Sequence, residues 1–354
     1  MDLVMIEAVG KPRERGRAHG EQARELIAAG LERWRADLSK HGKDADQLWK
    51  GLSRESGFRD AAARWTPDLL EEIEGIAAGA NADPDAVFAI NCLDEAWWWG
   101  EKAGGCSAVA VADRGGRPVI GQNMDLDTWM DTTQVVLRLQ PDDGPEQILL
   151  SRAGMVGLCG ANEAGVGVVV NTLDTLPQAS DGLPVALVIR MLSHQTSLDG
   201  VEALLRSVRH ASGQAYTLAT SDGDVAGFEA GGDHVASYRN DPDRPNALWH
   251  TNHPLASGSA LDSAGDGSAG DDWASESTVP RLERVASAMD KLTTVDDLKA
   301  LLSDADSGVC MFPGRWRADG FTFGSIVISL DTPPEIEVAP GPPDRTPYVA
   351  VSFS

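Results

Sequence analysis

The spacing of apolar residues changes period several times along this chain, and each change marks an element. From Glu21 to Leu38, residues Ala23, Leu26, Ile27, Leu31, Trp34 and Leu38 recur at helical spacing and predict one amphipathic helix. Thr66 and Pro67 then open a second helix, with acids in its first turns and Gly79 suited to its end. Asp83 and Pro84 repeat the device. After Cys106 the period becomes two. "SAVAVAD" and "RPVIGQNMD" flank the turn signal Arg114, Gly115, Gly116, and "TQVVLRLQP" and "EQILLSRA" flank "DDG". Both read as hairpins. "VGVVVNTL" reads as a buried strand, and two helices follow it, "PVALVIRMLSHQ" and "LDGVEALLRSV".

Strands return in "AYTLATSDGDVAGFEA", "HVASYR" and "ALWHTN". Residues 254–277 are rich in Ser, Gly and Asp and read as a surface loop. Helices "VPRLERVASAMDKL" and "TVDDLKALLSD" come next, and strands "FGSIVISL", "EIEVAP" and "YVAVSF" close the chain. Strands bunched as hairpins make antiparallel sheets. Two such sheets stacked face to face, with helix pairs outside, account for this order: an α+β class αββα sandwich. Length alone suggests two or three domains, but a layered fold uses 354 residues as one unit.

Charge narrows the partners. Lys and Arg number 30 against 54 Asp and Glu, a net −24. Nucleic acid and anionic membrane both require basic patches, so neither is expected as a partner. The N-terminal residues lack the apolar core of a signal peptide, and no run approaches the ~18 apolar residues of a membrane span. Four cysteines, Cys92, Cys106, Cys159 and Cys310, stand far apart without disulfide or metal spacing. A reducing cytoplasm is the expected compartment. No phosphate loop, dinucleotide fingerprint or His-x-x-x-His pair occurs, so no cofactor and no metal is implied.

Cys106 stands on the seam between the helical and strand regions, after Gly104 and Gly105. Cutting the Gly105–Cys106 bond would give its thiol an α-amine on the same residue. That amine, with an ordinary pKa of ~7.7–8, can serve as the base for the nucleophile. Two glycines permit the strained backbone such a cut needs. His250 and His253 are the histidines in the most suggestive setting, beside an asparagine. Three consecutive tryptophans, of which Trp98 and Trp99 are the substrate-side candidates, read either as core or as a pocket wall for an apolar or aromatic group.

"GCSAVAV…GQNMD" resembles the start of the catalytic subunit in N-terminal-nucleophile hydrolases, and is most similar to the penicillin acyl-transferring family that includes isopenicillin N acyltransferase. Choloylglycine hydrolases and the acid ceramidase group are more distant relatives. "EEIEGIAAGANADPDAVFAIN", "HTNHP" and "ESTVPRLERV" extend the resemblance over most of the chain. Such proteins fold as αββα sandwiches and cut themselves before the nucleophile.

The resemblance implies a helical fragment 1–105 and a catalytic fragment 106–354 in one fold. It implies Cys106 as nucleophile and Asp125, nineteen positions on, as holder of the α-amine. Asn252 would donate to the oxyanion, with Asn171 a second polar group. Being uncharged, Asn252 should leave the midpoint of the pH profile in place. Arg281 would steady the thiolate, and Arg284 would be structural. Arg315 and Arg317 are candidates to meet a substrate carboxylate. Asn123, also placed among substrate contacts, stands where bile-salt-type relatives have arginine, which disfavours bile salts. Ser107 replaces the family's frequent threonine.

The expected function is hydrolysis or acyl transfer at a linear amide of a small molecule, through a thioester. One alternative is acyl-CoA-dependent acylation of a β-lactam or other amine. Another is an uncut binding protein without chemistry. The expected partners are the amide substrate, the chain's own cleaved fragment and, as one possibility, further copies of itself.

Overall fold

A computed structural model describes residues 3–96, 105–112, 117–256, 277–314 and 319–354. Trp98, Trp99, Arg315 and Arg317 lie outside the described residues, as do the turn at 114–116 and most of the loop at 254–277.

The chain opens with strand β1 (Val4–Gly10) and helices α1 (Pro12–Gln22), α2 (Arg24–Lys40), α3 (Ala45–Lys50), α4 (Phe58–Trp65), α5 (Pro67–Ala80), α6 (Pro84–Ile90) and α7 (Leu93–Ala96). Strands β2 (Gly105–Val111), β3 (Val119–Asp127), β4 (Gln134–Pro141), β5 (Gln147–Arg152), β6 (Cys159–Asn162) and β7 (Val166–Thr172) follow. Helices α8 (Val185–Leu192) and α9 (Leu198–Ser207) lead to β8 (His210–Thr220), β9 (Val225–Gly232), β10 (His234–Ser237) and β11 (Ala247–His250). Helices α10 (Val279–Ala288) and α11 (Val295–Leu302) precede β12 (Gly320–Ser329), β13 (Glu335–Ala339) and β14 (Val349–Val351).

Two sheets form. One has eight strands in the order β1-β4-β5-β6-β7-β8-β9-β10, and the other six in the order β11-β2-β3-β12-β13-β14. Among the described strand pairs only β1–β4 is parallel, and an isolated parallel bridge joins Leu183 to His210. The inner faces meet where β2 lies against β7 and β8, β3 against β7, and β12 against β6. Helices α8 and α9 cover β7, β8 and β10, while α10 and α11 cover β2, β11, β3 and β12. The αββα sandwich expected from the element order is what the chain adopts.

Side-chain alternation sorts β2 into two environments. Cys106, Ala108 and Ala110 join the large core between the sheets. Val109 and Val111 join a second core under α10 and α11, with Val285, Leu298 and Leu302.

The details depart from the sequence expectations in instructive ways. The predicted helix from Glu21 is two helices, broken at Ala23, yet its apolar face is the buried one: Ala23, Ile27, Trp34 and Leu38 are all in the core. Thr66 makes no side-chain cap, and α5 runs past Gly79 to end on Asn81, which takes the left-handed conformation at φ 54°. Asp83 does cap, accepting from the Asp85 N–H at 2.9 Å. Strands β1 and β6 were not anticipated. Strand β1 alternates too irregularly to read, and β6 is four residues containing a glycine.

Helix α1 carries a pH-sensitive anchor. His19 is buried, and its Nε2 accepts the Gly154 N–H at 3.0 Å, which ties α1 to the turn after β5. Burial pushes the imidazole down to about 4, with Arg190 adding to the effect and Glu72 opposing it. The folded state therefore favours neutral His19. Its contribution is complete above the unfolded value of ~6.5 and is lost as pH falls through about 4, a loss of about 3 kcal/mol. Urea unfolding at a series of pH values should show stability falling across that window, and His19→Gln should flatten the fall.

Candidate active site

The antiparallel ladder of β2 and β3 places Gly105 opposite Asp125, Cys106 opposite Met124, and Ser107 opposite Asn123. Cys106 and Met124 point into the sandwich, with Sγ 3.6 Å from Sδ. The other two pairs face the opposite side, toward α10 and α11, where Arg281 meets Ser107 and Asn123 meets Leu302. A Cβ on Gly105 would come within 2.8 Å of Met311 Cε and 3.1 Å of Asp125 Oδ2. Any larger residue at 105 would have to displace the end of the Met311 side chain and press on the Asp125 carboxylate.

Cys106 is held at both of its peptide groups. Its N–H donates to Asn252 Oδ1 at 2.8 Å, and its C=O accepts from Arg281 Nη1 at 2.7 Å. Arg281 also donates to Asn252 Oδ1 at 2.8 Å and to Ser107 Oγ at 3.1 Å. Ser107 thus supplies the hydroxyl that a threonine would. Asp125 Oδ1 accepts from Thr322 Oγ1 at 2.6 Å, and Thr322 in turn accepts the Met311 N–H at 2.8 Å. Asn252 is fixed from its other side: its Nδ2 donates to Thr172 O at 3.1 Å, and its N–H to Thr278 Oγ1 at 2.7 Å. Four of the residues named from sequence, spread over 176 positions from Cys106 to Arg281, therefore meet around one peptide bond.

Electrostatics in the continuous chain oppose reactivity. The Cys106 thiol is buried, and burial together with the Asp125 charge pushes its pKa far above the ordinary thiol range. Burial lowers Arg281, while Asp125 and Cys106 pull the other way. His253 is driven down to about 4, mainly by burial, and sits 3.0 Å from Thr278 Oγ1.

Asn171 lies one step away, fully buried at the end of β7. Its Nδ2 donates to His250 O at 3.4 Å, and its Oδ1 meets no protein donor. Asn123 has a structural place. Its Nδ2 donates to Leu302 O at 2.7 Å and to Val309 O at 2.8 Å, so it fastens the end of α11 to β3 and commits its amide hydrogens to the backbone. Asn123→Ala should lower stability by about 1–3 kcal/mol in urea unfolding while leaving relative rates across an amide panel unchanged. Arg284 pairs with Asp304 at 2.7 Å, in keeping with a structural role.

Sequence reasoning missed Glu229. It is fully buried on β9, and its Oε1 lies 3.0 Å from His250 Nε2. The same carboxylate accepts the N–H groups of Leu255 and Ala256. It thereby ties the segment that carries Asn252 to the eight-stranded sheet. A lone glutamate in an otherwise apolar strand, "VAGFEAGG", was the available signal.

The family described as "Acyl-coenzyme A:6-aminopenicillanic acid acyl-transferase" matches residues 112–333. The chain belongs to this family. It is 27% identical over 260 residues to the 40 kDa form of acyl-coenzyme A:6-aminopenicillanic-acid-acyltransferase of Emericella nidulans, covering 72% of this chain and 70% of that one. Among solved structures, a conjugated bile acid hydrolase variant from Clostridium perfringens aligns with a TM-score of 0.48 at 14% identity, covering 69% of this chain and 92% of the other. Penicillin V acylase from Agrobacterium tumefaciens aligns with a TM-score of 0.44 at 13% identity, covering 66% and 83%. As a member of the acyl-transferase family, the chain is an enzyme of the N-terminal-nucleophile class, an amidohydrolase or acyltransferase. Among the described residues no helix is long and apolar enough to cross a membrane.

Proposed function

We propose that this enzyme cuts itself between Gly105 and Cys106 and then uses the freed Cys106 to cleave a linear amide of a small molecule. The observation that carries the reading is the grip on Cys106: Asn252 at its N–H, Arg281 at its C=O, and Asp125 across the ladder from Gly105.

In the first step the Cys106 thiol adds to the Gly105 carbonyl, the C–N bond breaks, and the nitrogen takes the proton. Water then hydrolyses the resulting thioester, leaving a carboxylate on Gly105 and an amine on Cys106. Fragments 1–105 and 106–354 stay together, because the core between the sheets draws on both. In turnover the α-amine takes the thiol proton, and sulfur attacks the substrate carbonyl. The amine product leaves with that proton, and water or a second amine takes the acyl group from sulfur. Asp125 holds the amine in place, Asn252 and Asn171 face the developing oxyanion, and Arg281 steadies the sulfur. The family description and the Emericella relative's name favour transfer from acyl-coenzyme A to an amine as a second reading. Four buried, unpaired cysteines suit a reducing compartment, for which the cytoplasm is our proposal.

Intact mass spectrometry of the purified protein tests the cut. Two species are expected whose masses sum to the chain plus one water. A single uncut chain that turns over an amide would overturn the reading. Adding a second amine to the assay separates the outcomes: a new amide product marks transfer, and the free acid alone marks hydrolysis.

A further inference from the structure

Arg152, the last residue of β5, is fully buried, and none of its guanidinium nitrogens meets a protein acceptor. Its guanidinium lies over the Trp129 ring, 5.1 Å from the centroid. Arg33 of α2 joins it. Arg33 Nε donates to Trp129 O at 3.0 Å, while its Nη2 is buried without an acceptor. Trp129 is itself clamped by Trp34, stacked at 5.5 Å. Two cations thus converge on one residue, Arg152 on its ring and Arg33 on its backbone carbonyl, with no carboxylate bonded to Arg152 among the described residues. A buried charge without a partner is costly, and structural arginines are normally paired. Buried Arg15 and Arg190 follow the rule by sharing Glu72.

The pair lies at the catalytic end of the sandwich. Arg152 has the same strand parity as Leu150, which a Cβ on Gly324 of β12 would touch at 3.0 Å, so its side chain starts toward the space between the sheets. Trp129 follows Asp125 by four residues. Gln134, the ladder partner of Arg152, donates from Nε2 to Phe323 O at 2.9 Å, and the neighbouring Thr322 holds Asp125.

We infer that Arg152 and Arg33 form an oxyanion subsite that receives a carboxylate carried by the substrate, remote from the amide that is cut. A planar guanidinium with free donors is suited to a bidentate grip on carboxylate or phosphate. The inference deepens the proposed function and rests on it for the reaction, but the site has a readout of its own. Arg315 and Arg317 play no part in it.

Two measurements test it on the purified protein. The first is melting temperature in acetate and in inorganic phosphate, against chloride at matched ionic strength. Acetate should raise the melting temperature of the wild type and leave Arg152→Met unmoved. A response to phosphate alone would reassign the group to a phosphoryl donor and overturn the carboxylate. In chloride, Arg152→Met should melt higher than wild type, because an apolar side chain of similar length replaces an unpaired charge. The second is kcat/KM for two amides that differ only in a remote carboxylate or its methyl ester. The acid should be preferred by about ten-fold or more, and the preference should vanish in Arg152→Met. Arg33→Met gives the same readouts at the edge of the cluster should Arg152→Met fail to fold. Equal anion responses in wild type and both variants would overturn the subsite. If no amide is turned over but the anion shift is present, the reaction assignment fails and the subsite stands. If amides are turned over without an anion shift, the subsite fails and the reaction stands.

Discussion

Cys106→Ala is expected to give one uncut chain with no measurable turnover. Both losses come from one atom. In the proposed mechanism Sγ is the nucleophile toward the Gly105 carbonyl in self-cleavage and toward the substrate in turnover. Removing the nucleophile of a hydrolase that acts through an acyl-enzyme costs on the order of 10⁶ in kcat. The folded structure should survive, since the Cys106 thiol touches Met124 and is not part of the grip formed by Asn252 and Arg281. Denaturing gels and intact mass report the cut, and an amide assay reports turnover. Cys159→Ala and Cys310→Ala serve as controls. Cys159 is buried in the main core, and Cys310 bonds Asp344 at 3.4 Å, so each should be cut and active per folded molecule. A Cys106→Ala protein that still separates into two fragments would remove Cys106 from the self-cleavage step.

What the sequence made legible follows from the range of each interaction. Hairpins announce themselves in adjacent residues, and β2 with β3 or β4 with β5 pair as their alternation and turns required. The helices over the sheets were legible for the same reason. The gathering of Cys106, Asp125, Asn252 and Arg281 is a long-range fact that local periodicity cannot supply. It was legible only because short motifs with a known order resemble a family whose geometry brings them together. Residues without such a motif stayed hidden. Glu229 meets His250 across the strand order, and Thr322 meets Asp125 over 197 positions, so neither partner marks the other in sequence. Asn123 shows what a motif alone leaves out. Its place in "GQNMD" suggested a substrate contact, but two residues along a strand share a face, and that face is covered by α11 and the Val309 segment.

Asn252→Ala should lower kcat by roughly 10²–10³ and should also move the pH profile, which sequence reasoning did not expect. The first effect is the loss of the amide that the proposed function places at the oxyanion once its Nδ2 turns from Thr172 O. The second follows from the contacts of Oδ1, which accepts both the Cys106 N–H at 2.8 Å and an Arg281 N–H at 2.8 Å. After the cut that nitrogen is the α-amine. An acceptor bonded to it favours the ammonium, so removing Oδ1 lowers the amine's pKa. Arg281 then faces the amine without the amide oxygen between them, and a neighbouring cation disfavours the ammonium further. Both changes have the same sign. If the α-amine is the base, as proposed, activity rises as it loses its proton and should therefore rise at lower pH in Asn252→Ala than in wild type. The measurement is kcat/KM against pH on material shown by mass to be cut, because Asn252 also grips the bond that is broken in maturation. A reduced kcat with an unmoved midpoint would make Asn252 an oxyanion donor alone. A midpoint displaced to higher pH would mean that Asp125, not Asn252 and Arg281, governs the charge on the amine.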